Sequence, residues 1–97
     1  MAVSQKQLHA IVSGIVQGVS FRYYTTRKAE ELGITGWVRN NPDRTLELIA
    51  EGEQSALEQL EIWLQEGSPS ARVDTVDARY DDATGEFVDF RTIYYAK

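Results

Sequence analysis

Gly14-Ile-Val-Gln-Gly-Val-Ser-Phe-Arg22 is a glycine-punctuated loop set between a short apolar alternation and a helical pattern, and it closes on an arginine. Its two glycines let backbone N–H groups converge without Cβ hindrance. The helix that follows offers unpaired N–H groups and its positive dipole end, and Arg22 stands where a guanidinium can fork onto a phosphate. By local chemistry the stretch reads as an anion cradle, although a glycine-bearing turn before a helix is also an ordinary turn.

The elements on either side place this loop in a fold. Leu8-His-Ala-Ile-Val12 alternates and is rich in β-formers, which predicts a first strand ending at Gly14. Phe21, Thr25, Ala29 and Leu32 keep helical spacing and Gly33 suits a C-terminal cap, so the first helix is expected over 22–32. Thr35 to Asn40 reads as a second strand. Asn40-Asn-Pro-Asp-Arg-Thr45 then supplies turn chemistry before the alternating Leu46-Glu-Leu-Ile-Ala50, which makes a hairpin. Ser55 followed by Glu58 is a candidate capping box, and Ala56, Leu57, Leu60, Trp63 and Leu64 form one apolar stripe that ends near Gly67. Val73 to Tyr80 and Phe90 to Tyr95 read as strand segments separated by a polar turn over 81–86.

Strand, helix, strand, strand, helix, strand is the order of the α+β, ferredoxin-like βαββαβ sandwich, an antiparallel sheet with two helices on one face. With strand three between strands one and two, the outer pair run the same way and their C-terminal ends meet at one edge. Asn40, which ends strand two, then lies beside the loop that follows strand one. The sheet position of the last segment is left open.

Composition narrows the function. The 97 residues, 42% hydrophobic, fit one domain over 1–97. Cysteine is absent, which excludes disulfides, thiolate metal sites and a cysteine nucleophile, and which fits a reducing cytoplasm. No secretory leader and no apolar run near the ~20 residues of a membrane span is visible, so a soluble protein without membrane partners is expected. A net charge of −5 argues against a polyanion binder. Residues 1–46 carry six basic and three acidic side chains, whereas 47–97 carry four and twelve, so a small anion would favour the first half.

The usual phosphate-processing signatures are missing. There is no nucleotide-binding Gly-x-x-x-x-Gly-Lys-Ser/Thr loop and His9 is the only histidine, expected to be a packing or surface residue. Asp81-Asp82 beside Gly85 reads as turn-forming rather than metal-binding. No metal or cofactor is expected. If the site is catalytic, these absences point to a mixed carboxylic–phosphoric anhydride, whose leaving carboxylate has a conjugate acid of pKa about 4 and departs without metal or acid. Holding the phosphoryl oxygens and aiming a water is then enough, and backbone amides, an arginine and an amide side chain suffice for that.

Gly14-Ile-Val-Gln-Gly-Val-Ser-Phe-Arg22, Gly36-Trp-Val-Arg-Asn40 and Asp43-Arg-Thr-Leu-Glu47 together resemble the acylphosphatases, with length and spacing in agreement from about residue 7 onward. The resemblance implies a ferredoxin-like fold and cofactor-free hydrolysis of acyl phosphates to a carboxylate and inorganic phosphate. By motif position it puts the phosphate-binding arginine at Arg22 and the water-orienting asparagine at Asn40. The phosphate loop falls on Val16, Gln17, Gly18, Val19, Ser20 and Phe21. A small-molecule acyl phosphate is the expected partner, with inorganic phosphate or sulfate as a competing anion, no nucleic acid, and a monomer as the working form. The chain departs from the family in the hairpin, where Asp-Gly is usual and Asp43-Arg44 stands here, and its C-terminal end is looser.

Several residues admit a second reading. Arg22 as a plain surface cation in a first helical turn would oppose the helix dipole, so it wants an anionic partner. Asn40 also suits a turn residue. Arg39 should face away from Asn40 and be solvent-exposed. Trp37 and Trp63 read as packing residues, and Tyr23 and Tyr24 as either pocket border or helix-to-sheet packing. Ser20 is a conceivable nucleophile without a paired base, which favours water. The alternative to hydrolysis is a non-catalytic small-anion binding or sensor domain. Single-stranded RNA binding is disfavoured because residues 8–12 and 46–50 hold no aromatic side chain.

Overall fold

A computed structural model describes residues 5–94, in the order β1 (Gln5–Ile15), α1 (Phe21–Glu31), β2 (Thr35–Asn40), β3 (Leu46–Glu53), α2 (Gln54–Glu66), β4 (Arg72–Asp82) and β5 (Phe90–Thr92). The sheet order is β4-β1-β3-β2-β5. β3 lies between β1 and β2 and is antiparallel to both, so the C-terminal ends of β1 and β2 share one edge as the sequence predicts.

Alternation along the central strands decides which face is covered. Leu8, Ala10 and Val12 of β1 and Leu46, Leu48 and Ala50 of β3 are buried, and they meet Phe21 and Ala29 of α1 and Leu57, Leu60 and Leu64 of α2. Each fully buried leucine contributes about 1.5–3 kcal/mol relative to exposure. Phe21 and Trp63 meet edge to face at 5.4 Å and lock the two helices where both approach the loop after β1.

The chain departs from the expected elements in definite places. The sheet is mixed, because β5 pairs in parallel with β2 through Gly36↔Phe90 and Val38↔Thr92. β4 occupies the opposite edge, so residues 83–89 carry the chain across and the last strand cannot be a hairpin partner of β4. Buried Glu51 anchors that crossing by accepting the N–H groups of Thr84 and Gly85 at 2.7 and 2.9 Å. Tyr95, placed at the end of this strand by the sequence, lies outside the described residues.

β1 does not stop at Gly14. Its pairing with β4 shifts register between Ser13 and Gly14 and continues to Ile15. Gly14 has φ +125°, and a Cβ there would lie 2.1 Å from the Arg72 carbonyl oxygen, so this glycine serves the close approach of two strands. Asp81 and Asp82 belong to β4 rather than to a turn, facing Gln7 and Lys6, and Lys6 Nζ reaches Asp82 at 3.1 Å. Helix α1 covers 21–31 with Leu32 as its C-cap. The capping box at Ser55 and Glu58 does not form. β3 runs straight into α2, leaving extended Glu53 as the N-cap without a side-chain bond, and Glu58 accepts from Gln54 Nε2 at 3.2 Å instead.

The hairpin between β2 and β3 is closed by the Asn41 N–H donating to the Thr45 carbonyl at 2.9 Å and by Asp43 accepting both the N–H and the hydroxyl of Thr45. Arg44 has φ +74°, so its Cβ is held in the left-handed region. Arg44→Gly should raise stability by up to about 1 kcal/mol, read as a higher denaturant midpoint, with turnover unchanged. A large fall in turnover in the folded variant would place Arg44 in the site.

Candidate active site

The loop between β1 and α1 is pinned at both ends by buried side chains, Val16 and Phe21. On one flank the Ser68 hydroxyl donates to the Val19 carbonyl at 2.8 Å. Between these anchors Gly18 and Ser20 both take left-handed conformations, φ +73° and +61°. Ser20 does so with a Cβ and therefore stores strain beside the helix start. The N–H groups of Gly18, Val19 and Ser20 donate to no backbone acceptor among the described residues, which leaves them available to a bound anion.

Arg22 lies in the first turn of α1, a turn without acidic residues, and forms no ion pair with a carboxylate among the described residues. Its guanidinium carbon sits 5.5 Å from the centre of the Tyr94 ring, which supports the cation while leaving its N–H groups free of a carboxylate. Asn40, at the end of β2, has a buried Oδ1 without a hydrogen-bond partner among the described residues. An unpaired buried carbonyl costs about 1–3 kcal/mol, a penalty that a water or ligand can relieve.

Gly18, Ser20, Arg22 and Asn40 line one cavity of about 950 Å³. Of the residues expected in the phosphate loop, Val16, Gly18, Ser20, Phe21 and Arg22 border it, and Asn40 joins them from the neighbouring strand end. Gln17 and Val19 do not border it. Gln17 turns its carboxamide to the hairpin, donating through Nε2 to the carbonyls of Asn41 and Thr45, both at 2.9 Å. Tyr23 borders the cavity and stacks edge-on against Tyr24 at 5.3 Å; both rings are exposed, so neither packs the helix onto the sheet.

The remaining wall was not legible in the sequence. Thr26 and Glu30 follow Arg22 along α1 and Arg27 and Glu31 follow Tyr23, each at i+4 and i+8, and that spacing is the signal that could have found them. Thr92 and Tyr94 arrive through β5, whose place in the sheet the sequence did not fix.

Arg39 is half-buried rather than fully solvent-exposed. On the face of the sheet away from the helices it lies 4.9 Å over the Trp37 ring and donates to Glu47 Oε1 at 3.0 Å and Asn41 Oδ1 at 3.1 Å. His9 Nε2 meets the other Glu47 oxygen at 2.6 Å. Burial works against the Glu47 charge, but hydrogen bonds from His9, Arg39 and Asn41 outweigh it and hold the carboxyl below its ordinary range. This network braces the base of the hairpin whose first strand ends in Asn40. Among the described residues no three His, Asp or Glu side chains gather where they could hold a metal ion, and no helix is long and apolar enough to cross a membrane.

A strained loop, a helix-borne arginine and a strand-end asparagine surround one cavity on a ferredoxin-like fold. The sequence profile described as Acylphosphatase matches residues 8–92, and the chain belongs to the acylphosphatase family. It is 54% identical over 86 residues to the acylphosphatase of Marinobacter nauticus, covering 89% of this chain and 94% of that protein. The crystal structure of acylphosphatase from Bacillus subtilis matches with TM-score 0.89 at 32% identity, over 92% of this chain and 99% of the other. The structure of an acylphosphatase from Coxiella burnetii matches with TM-score 0.87 at 41% identity, over 93% and 94%.

Proposed function

We propose that this chain hydrolyses acyl phosphates with Arg22 and the loop amides holding the phosphoryl oxygens and Asn40 orienting the attacking water. The reaction, cleavage of a carboxylic–phosphoric anhydride to a carboxylate and inorganic phosphate, follows from membership in the family. The observation that carries the residue roles is the shared cavity: Arg22 and the carboxamide of Asn40, whose Oδ1 has no partner, border it together with the loop.

A water that donates one hydrogen to Asn40 Oδ1 turns a lone pair outward toward the phosphorus. As its oxygen bonds to phosphorus, the bond to the acyl oxygen breaks and that electron pair leaves on the carboxylate. The protons of the water pass to a phosphate oxygen and to solvent. Charge on the phosphoryl oxygens would meet the Arg22 fork and the amides of the loop. Residues 1–97 act as one domain and as a monomer, since one chain supplies every group used, and the cysteine-free composition suits the cytoplasm.

Because a carboxylate leaves without a Lewis acid, turnover should be unchanged by a strong chelator, and loss that a divalent ion restores would overturn this. Inorganic phosphate and sulfate should inhibit competitively and raise the melting temperature, as a ligand of the folded state must. No shift at saturating phosphate would remove the cradle. Release of phosphate from a panel of acyl phosphates, with a phosphate monoester as control, tests the reaction itself.

A further inference from the structure

The geometry points to Gln17 as a positioning residue that sets the distance between the anion loop and Asn40. Both hydrogens of its Nε2 group are used on one target, the mouth of the β2–β3 hairpin, where they reach the carbonyls of Asn41 and Thr45 at 2.9 Å each. Asn41 is the residue next to Asn40. Among the described residues these two are the side-chain hydrogen bonds that tie the loop over 16–20 to the hairpin, while Ser68 holds the loop from its other flank through Val19.

The hairpin does not need Gln17 to hold its own shape. Asn41 and Thr45 bond through their backbones, Asn41 Nδ2 reaches Thr45 Oγ1 at 3.1 Å and Glu47 Oε1 at 3.2 Å, and Asp43 caps the turn. Beyond the β1–β3 ladder, which ends at Val12 and Leu46, the part assigned to phosphate and the part assigned to water are bridged by one carboxamide. In-line attack requires the reacting atoms about 3–3.5 Å apart, and a 1 Å displacement costs on the order of 100-fold. Gln17 therefore acts on the step in which Asn40 delivers the water, without touching substrate, and this rests on the water-orienting role given to Asn40 above.

The test is a double-mutant cycle with Gln17→Met, which keeps length and removes both donors, in the parent and in Asn40→Ala. Gln17→Met should lower kcat by ~10–100-fold in the parent, leave the inhibition constant of inorganic phosphate within about threefold, and lower kcat of Asn40→Ala by less than about threefold, because a shared role is lost only once. Gln17→Glu supplies a second arm. Its carboxylate faces two carbonyls and cannot donate, so its kcat relative to the parent should be low at neutral pH and recover as acid protonates the introduced carboxyl.

Equal losses from Gln17→Met in both backgrounds, a phosphate inhibition constant weakened tenfold or more, or a pH-independent Gln17→Glu would each overturn the positioning role. Normal turnover in Asn40→Ala would instead overturn the reading on which it rests.

Discussion

Asn40→Ala will give a folded protein that binds inorganic phosphate nearly as well as the parent and turns over acyl phosphate at least about 100-fold more slowly, the scale of a lost positioning contact. The substitution removes a carboxamide whose Oδ1 has no partner among the described residues, so folding loses no hydrogen bond of that atom and sheds an unsatisfied acceptor. The side chain lies at a strand end whose β-bridge partner is Leu46, a backbone contact that alanine keeps. A fall in kcat with the phosphate inhibition constant unchanged is the signature of a group that acts on the water alone. Near-normal turnover in the folded variant would remove that role.

Arg22→Ala should show the opposite pattern. The guanidinium faces charge present in the bound substrate, in the transition state and in the product phosphate, so its loss should weaken phosphate binding and lower turnover together. At least about 100-fold in kcat/KM is expected, comparable to loss of a charge-stabilising donor. Arg22→Lys should rescue poorly, because an ammonium cannot reproduce the two-pronged fork and cannot lie over the Tyr94 ring with the same planar contact. Phosphate titration by calorimetry alongside steady-state kinetics checks both halves, and undiminished phosphate affinity in Arg22→Ala would remove the cradle from the arginine.

The convergence of Arg22 and Asn40 was legible because it follows from strand order: two strands antiparallel to a shared neighbour must end at the same edge. The motif carried the loop, and helical spacing carried α1 to within one residue at each end. What the sequence hid has physical reasons. Gly14 looks like a loop glycine, yet its role is set by the Arg72 carbonyl, 58 residues along the chain, and no local pattern encodes a steric contact with a distant strand. Ser55 and Glu58 satisfy the spacing of a capping box, but β3 feeds α2 directly and tertiary pairing decides where the strand ends. Arg39 alternates away from the covered face as expected. That face is nonetheless populated by Glu47 and Trp37 from the register of β2 against β3, so outward does not mean solvated. Gln17 sits inside the loop motif, and only the position of the hairpin shows that its side chain leaves it.

The strand order also governs how the chain must assemble. Both sheet neighbours of β1 come from far along the sequence: His9 and Glu47, joined across β1 and β3, are 38 residues apart, and Ser13 and Thr75, whose hydroxyls meet across β1 and β4, are 62 apart. The entropy of closing those loops is lost before the strands reward it, so the folding barrier is set by long-range closure rather than by either helix. During synthesis the anion loop emerges within the first quarter of the chain, but β4 must follow before β1 is flanked on both sides, and Thr92 and Tyr94 complete the cavity wall last.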